Sequence, residues 1–421
     1  MMQPLINITR KQALLFASFF VLYEFLTYIA NDMIMPGMLA VVHTFRAEES
    51  NVATSLTAYV LGGASLQLFL GPLSDRFGRR PVMLVGTALF ALATLLLPWA
   101  QTIEQFLWGR FFEGMGLCYI NVVGYAILQE IFSEQDAIRL IAVMANVAIL
   151  APLLGPLAGS ILLQYGSWHV MFYLVGALSI VAFWGLWRFM PESVGQQKRD
   201  GRMIKRTAIS IPAVLSNYAT LLKHRVFLFG TLAYGLMGVM CVVWIALAPV
   251  MLVSGAKMSL VAYGVWQIPV FGAFILGNII LSYLSYRYSV RQLSLIGSAI
   301  VCSGLGLMWV LPEIFGVKPF WLMPGLIAYC LGYGLAITAL NRFILFVTQV
   351  STGTTSALIS MVSMCFQAGG IEVANHLYVH GNNLAIARYA GWIGVLYMIF
   401  VLLSTLYHHY YHEKALGVEN L

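Results

Sequence analysis

The sequence predicts an all-α polytopic membrane protein of about twelve transmembrane helices in two six-helix halves, and three observations predict it. Of 421 residues, 60% are hydrophobic and only 9% are charged, where a soluble domain carries about a quarter charged residues. Apolar stretches recur from Leu14 to Leu406, each of about twenty residues or more and so able to cross roughly 30 Å of hydrocarbon as a helix. One long polar segment interrupts them, Pro191 to Arg225, containing PESVGQQKRDGRMIKR. It reads as a linker between two halves, giving residues 1–190 as the first half, 191–225 as a cytoplasmic linker and 226–421 as the second half.

The first span, 12–36, follows Arg10 and Lys11 as a signal peptide would. It runs on to Pro36, however, carries Glu24 and Asp32, and lacks a small-residue cleavage site, so it counts as a span. Further spans fall near 51–72, 80–100, 104–129, 138–164 and 168–190. Past the linker they fall near 226–253, 259–284, 291–312, 319–349, 354–379 and 385–408. With both termini in the cytoplasm, most of the 23 Lys and Arg lie on that side, and Arg46, Lys257, Lys318 and Arg388 lie on the other. The net charge of +7 therefore reports topology rather than nucleic-acid binding. Two halves joined by a basic loop is the layout in which substrate binds at the repeat interface while the halves rock around it. The repeat is topological only: GPLSDRFGRRP after the second span corresponds to SYRYSVRQ after the eighth, which keeps basic charge and loses the acid.

Ionisable side chains within spans are costly and mark function by default. Glu24, Tyr28, Asn31 and Asp32 stand at i, i+4, i+7 and i+8 and share one face of the first span. Two acids there form a candidate site where protons and cations compete for the same carboxylates. The bland alternative pairs one of them with a buried arginine. Arg110, in WGRFFEGMG, is followed by Glu113 on the same face, so Glu113 satisfies it intrahelically while Asp32 or Glu24 responds to its charge. Arg342 is a comparable cation in the second half, with snorkelling as the alternative. In GPLSDRFGRRP, read as a loop, Asp75 is placed to cap a helix and to pair with Arg79 or its neighbours as a conformational latch. In APLLGPLAGS, Pro152, Gly155, Pro156 and Gly159 permit close helix contact and a bend. Tyr125, Met144, Trp244, Phe271, Met361 and Phe366 are aromatic or Met residues of the kind that suit a flat lipophilic cation. Glu372 and His376 sit one turn apart in the eleventh span, where an outer-mouth hydrogen bond is the simpler reading.

Other classes find little support. The five cysteines lie in apolar segments without CxxC spacing and read as packing residues. The tail string YHHYYHE reads as a solvated cluster at the membrane boundary, so no metal and no cofactor is expected. GxxxxGK[ST] is absent, which argues against an ATP-driven pump within this chain. GASLQ at Gly63 to Gln67 offers a serine with no placed histidine base, and a channel would not concentrate its acids in the first span.

GPLSDRFGRRP, GRFFEGMG and APLLGPLAGS together resemble the signature set of the major facilitator superfamily drug/proton antiporters. VLYEFLTYIANDMIMPGMLAVV, MANVAILAPLLGPLAG, WQIPVFGAFILGN and GIEVANHL extend that resemblance over nearly the whole chain. It implies a major facilitator fold and a proton and drug site at Glu24, Asp32 and Arg110. It also implies a cavity near Asn31, Tyr125, Met144, Ala148 and Gln267, a latch at Asp75, and a monomer in a bacterial inner membrane. The implied activity is proton-coupled export of lipophilic cationic and neutral compounds. The alternative within the same fold is carriage of one dedicated metabolite, such as a siderophore or sugar. Two positions depart from the pattern: Glu113 stands where members usually carry Gln, which would add an acid, and Thr352 stands where a basic residue is expected.

Overall fold

The computed structural model describes residues 4–199, 201, 203, 204, 206, 211–378 and 381–415. Among them the chain is almost wholly helical, with two isolated bridges, Pro4 to Phe132 and Gln197 to Met203. The α-helices are α1 Arg10–Ile34, α2 Met38–Thr44, α3 Ser50–Ser65, α4 Gln67–Phe77, α5 Arg79–Leu96, α6 Ile103–Gly114, α7 Gly116–Tyr119, α8 Tyr125–Ile131, α9 Glu134–Tyr165, α10 His169–Phe189, α11 Ile211–Lys223, α12 Arg225–Ala248, α13 Leu260–Leu284, α14 Val290–Phe315, α15 Met323–Leu345, α16 Thr352–Leu377 and α17 Asn383–Ala415. Several start where a hydroxyl takes up an unpaired backbone N–H. Thr9 accepts from Gln12, Thr102 from Gln105 and Ser351 from Thr354, and Ser289 forms a reciprocal capping box with Gln292.

Among the described residues eleven helical segments are individually long and apolar enough to cross a membrane, and α3 with α4, bent by 42°, makes a twelfth when the pair is counted as one span. Large apolar side chains such as Phe69, Trp99, Trp108 and Trp392 lie on their outer surfaces, as lipid contact requires. Two spans carry a π-helical insertion, Ile120–Gly124 and Pro249–Gly255, a feature that shifts the facing of the residues beyond it.

The chain divides into two compact units, Met1–Ser210 with Met258–Gln267, and Ile211–Lys257 with Ile268–Leu421. In the first, α1 packs along α9 and α10, α3 along α6, and α5 along α10 and α6. In the second, α14 packs most extensively on α15, and α12 on α16 and α17. The α14–α15 contact is a backbone approach: a Cβ at Gly325 would stand 2.7 Å from the Gly304 carbonyl oxygen, so small residues on both helices set the spacing.

The expected linker contains structure. Gly195 and Ile204 exchange a backbone bond of 2.6 Å, Arg199 N–H donates to Leu5 O at 2.7 Å, and α11 follows. The tail string reaches residues 411–413, whose side chains lie outside the described residues. The expected loop GPLSDRFGRRP is not a loop. Helix α4 runs through Asp75 to Phe77, α5 starts at Arg79, and the reversal is condensed into Gly78 at φ 107°, a conformation glycine adopts without the usual Cβ penalty.

Candidate functional site

The polar face of α1 is buried because α1 lies against α9 at very close range. Glu24 is 0%, Asn31 8% and Asp32 5% exposed, and Tyr28 is half-buried. A Cβ at Gly155 of α9 would stand 2.8 Å from Asp32 Cβ, so the absence of a side chain at 155 is what admits Asp32 to this wall.

Arg110 and Glu113 on α6 are both fully buried and form an ion pair. Charges this deep are tolerated only when paired and hydrogen-bonded, and other helices supply further partners, while Arg110 Nε is buried with no hydrogen-bond partner. Arg110 Nη2 donates to Asn31 Oδ1 at 2.6 Å, Thr94 Oγ1 of α5 donates to Glu113 Oε1 at 2.9 Å, and the guanidinium lies 4.6 Å from the centre of the Tyr59 ring of α3. The Tyr59 hydroxyl in turn donates to the Thr27 carbonyl.

Because the Asn31 carbonyl faces Arg110, its amide faces the other way and donates to Asp32 Oδ1 at 3.2 Å. Asp32 therefore receives an amide where the sequence suggested a guanidinium. Glu24 accepts from the Tyr125 hydroxyl at 3.1 Å, and its other oxygen is buried with no hydrogen-bond partner. Tyr28 lies near enough to Tyr125 to interact electrostatically. Glu24 with Tyr125, near Tyr28, and Asp32 with Asn31, Arg110 and Glu113 thus form two polar groups that share the α1 face as one wall in the first unit.

Met144 is buried and Ala148 half-buried, one turn apart on α9 and two to three turns before Gly155. Pro156 follows Gly155 inside the same unbroken helix, with its carbonyl accepting from Ser160 at 2.6 Å. Gln267 is buried and donates to the Tyr263 carbonyl of its own helix at 3.4 Å. In the second unit, Trp244 and Phe271 are buried, Arg342 is exposed beside Phe346, and His376 Nδ1 lies 3.3 Å from the Glu372 carbonyl, so that pair meets through the backbone.

Asp75 and Arg79 gather elsewhere, at the α4–α5 turn. Their ion pair is 2.6 Å, but the capping expected of Asp75 is made by Glu192, since Asp75 sits within the last turn of the preceding helix. Glu192 Oε1 accepts from Arg79 N at 2.9 Å and Oε2 from Arg80 N at 3.2 Å, where the helix dipole favours an anion. Arg79 also reaches Glu130 at 2.8 Å and Ser74 at 2.5 Å, and Ser193 donates to Glu130 at 2.5 Å. Sequence reasoning missed Glu130 and Glu192. The available signal was that each acid stands close to the end of a long apolar run.

Twelve potential membrane crossings with a buried charged wall on the first of them define a multi-pass membrane transporter. A family model described as Major Facilitator Superfamily matches residues 20–372, and the chain belongs to that superfamily. It is 44% identical over 405 residues to the multidrug transporter MdfA of Edwardsiella piscicida, covering 96% of this chain and 97% of that protein. It is 43% identical to the protein of the same name from Yersinia pestis bv. Antiqua (strain Angola), covering 93% and 94%. Among solved structures, the D-xylose-proton symporter superposes with a TM-score of 0.71 at 16% identity, over 92% of this chain and 97% of that one; this likeness is one of fold.

Proposed function

We propose that this chain is a proton-coupled multidrug efflux antiporter of the bacterial inner membrane, exporting lipophilic cationic and neutral compounds with both termini in the cytoplasm. One observation carries the coupling. Glu24 and Asp32 are buried carboxylates on one face of α1 that hold a hydroxyl and an amide, while the only arginine in their wall is paired with Glu113. Carboxylates of this kind exchange a proton for a cation, since either supplies the charge their burial demands. The names of the relatives support the drug class, and the distribution of Lys and Arg supports the orientation.

In this reading a compound reaches the acids from the cytoplasm or inner leaflet and displaces protons. The carrier changes its exposed side, and periplasmic protons reload the acids and reset it. Tyr28, Asn31, Tyr125, Met144, Ala148 and Gln267 contribute to the substrate cavity. Asp75 and Arg79 latch one conformation, and Gly155 with Pro156 lets α9 move against α1. Moving one charge through 100 mV supplies roughly 2.3 kcal/mol, so one net proton per cycle drives useful accumulation.

The test is uptake of tetraphenylphosphonium or ethidium by inside-out vesicles under an imposed proton gradient. Gradient-dependent uptake that is lost in Asp32→Asn and Glu24→Gln supports the reading. A folded wild type that moves neither cation rejects it and leaves a dedicated solute as the substrate.

A further inference from the structure

Among the described residues, four groups face Arg110, and its Nε is buried without a hydrogen-bond partner. Glu113 closes the ion pair from its own helix, Asn31 of α1 accepts from the other Nη, the Tyr59 ring of α3 lies under the guanidinium, and Thr94 of α5 anchors the second oxygen of Glu113. Both carboxylate oxygens of Glu113 are thereby occupied, and its negative charge is spent on Arg110. Around Asp32 stand Asn31, the Arg110 charge beyond it, the uncharged Gly155, and the hydroxyl-bearing rings of Tyr59 and Tyr263.

We propose that Glu113 is a positioning residue and fixed counter-ion: it holds Arg110 in a neutral pair and, through the orientation of Asn31, leaves Asp32 open to a proton or a cation. The inference rests on the reading of Asp32 and Glu24 as the coupling acids. Of the two expectations for Glu113, it favours the intrahelical partner of Arg110 over an added exchangeable acid. A glutamine at 113 would keep one oxygen for Arg110 and turn its amide N–H toward the Thr94 hydroxyl, which donates to the Phe90 carbonyl, but it would not keep the charge. Arg110 would then remain as an uncompensated buried cation, and the carboxylate it can reach through a side-chain rotation is Asp32. Glu113 thus decides whether the wall presents two open carboxylates, Glu24 and Asp32, or only one.

The test is infrared spectroscopy of the purified full-length protein, with the protonated-carboxyl stretch of Asp32 identified by its disappearance in Asp32→Asn. The wild type is expected to show this band at neutral pH. In Glu113→Gln the protonated fraction is expected to fall about tenfold or more as Arg110 turns to Asp32, and in the double variant Arg110→Gln/Glu113→Gln, with neither charge present, the band returns. A purely structural role for Glu113 would not restore the band when a second residue is removed. A band equal in wild type and Glu113→Gln, a band absent from the wild type, or no recovery in the double variant each overturns the inference. The vesicle assay judges the antiport reading separately, because the infrared measurement needs no transport.

Discussion

Replacing Gly155 by alanine perturbs a contact that sets how closely α9 approaches the acid face of α1. The added Cβ would lie 2.8 Å from Asp32 Cβ and 3.0 Å from the Asp32 carbonyl carbon. Carbon atoms in contact rest about 3.5–4.0 Å apart, so α9 must retreat by roughly 1 Å, since two of the three nearest atoms are Asp32 and Met33 backbone and cannot swing away. Overpacking of this size costs about 1–3 kcal/mol, which in any step that needs the two helices together is roughly a 5- to 150-fold loss. The assay is the initial rate of gradient-driven tetraphenylphosphonium uptake by inside-out vesicles, with thermal unfolding of the detergent-solubilised protein in parallel. The rate should fall at least about fivefold in Gly155→Ala and further in Gly155→Val, with a lowered Tm in both. An alanine variant that matches the wild type in both rate and Tm refutes the claim that position 155 must lack a side chain.

Four further substitutions separate the roles of the neighbouring groups. Tyr125→Phe removes the donor to Glu24 and deepens its deficit, so tetraphenylphosphonium-driven proton release should rise, by up to about 10-fold, the worth of one hydrogen bond; unchanged release would show that Glu24 does not depend on it. Glu130→Gln takes a carboxylate from an Arg79 side chain that is 10% exposed and should cost about 1.5–3 kcal/mol of stability. Asp75→Asn, at a carboxylate side chain 39% exposed, should cost less than about 1 kcal/mol, and the reverse order of unfolding midpoints would contradict this assignment. Gly78→Ala must hold φ near 107° and also meets the Glu192 carboxylate, a strain of about 1–3 kcal/mol. Folded yield should drop, and normal yield would mean the α4–α5 turn tolerates another path.

What the sequence could disclose was whatever depends on spacing along one helix. The shared face of Glu24, Tyr28, Asn31 and Asp32 and the Arg110–Glu113 pair follow from helical periodicity, and the spans follow from length and apolarity. Contacts between distant segments left no such mark. Nothing local to Glu130 or Glu192 says that they meet Arg79 across 51 and 113 residues, and nothing near Asn31 says that it takes the place beside Arg110 which charge alone would give to Asp32. The reading of GPLSDRFGRRP as a loop failed for a different reason. Its prolines and glycines mark turns in water-soluble chains, but Pro72 is accommodated inside α4, and a single glycine does the work of the turn.

The two polar clusters of the first unit follow opposite designs. At the α4–α5 turn, Arg79 meets two acids and a hydroxyl, and Glu192 spans the helix terminus with four backbone N–H contacts. Anions there are matched by more donors than they need, and such a network favours one fixed arrangement. At the α1 wall the one arginine among the described residues, Arg110 of α6, is paired with Glu113 of its own helix, so Glu24 and Asp32 are left with one neutral donor each and an oxygen of Glu24 with none. A buried carboxylate in that condition is unstable as an anion and is relieved by a proton or by an arriving cation. Under the proposed antiport, the deficit of donors at these two acids is what makes proton and cation compete, and a substitution that supplies either acid with an added donor should reduce cation-driven proton release in proportion to the bond it forms.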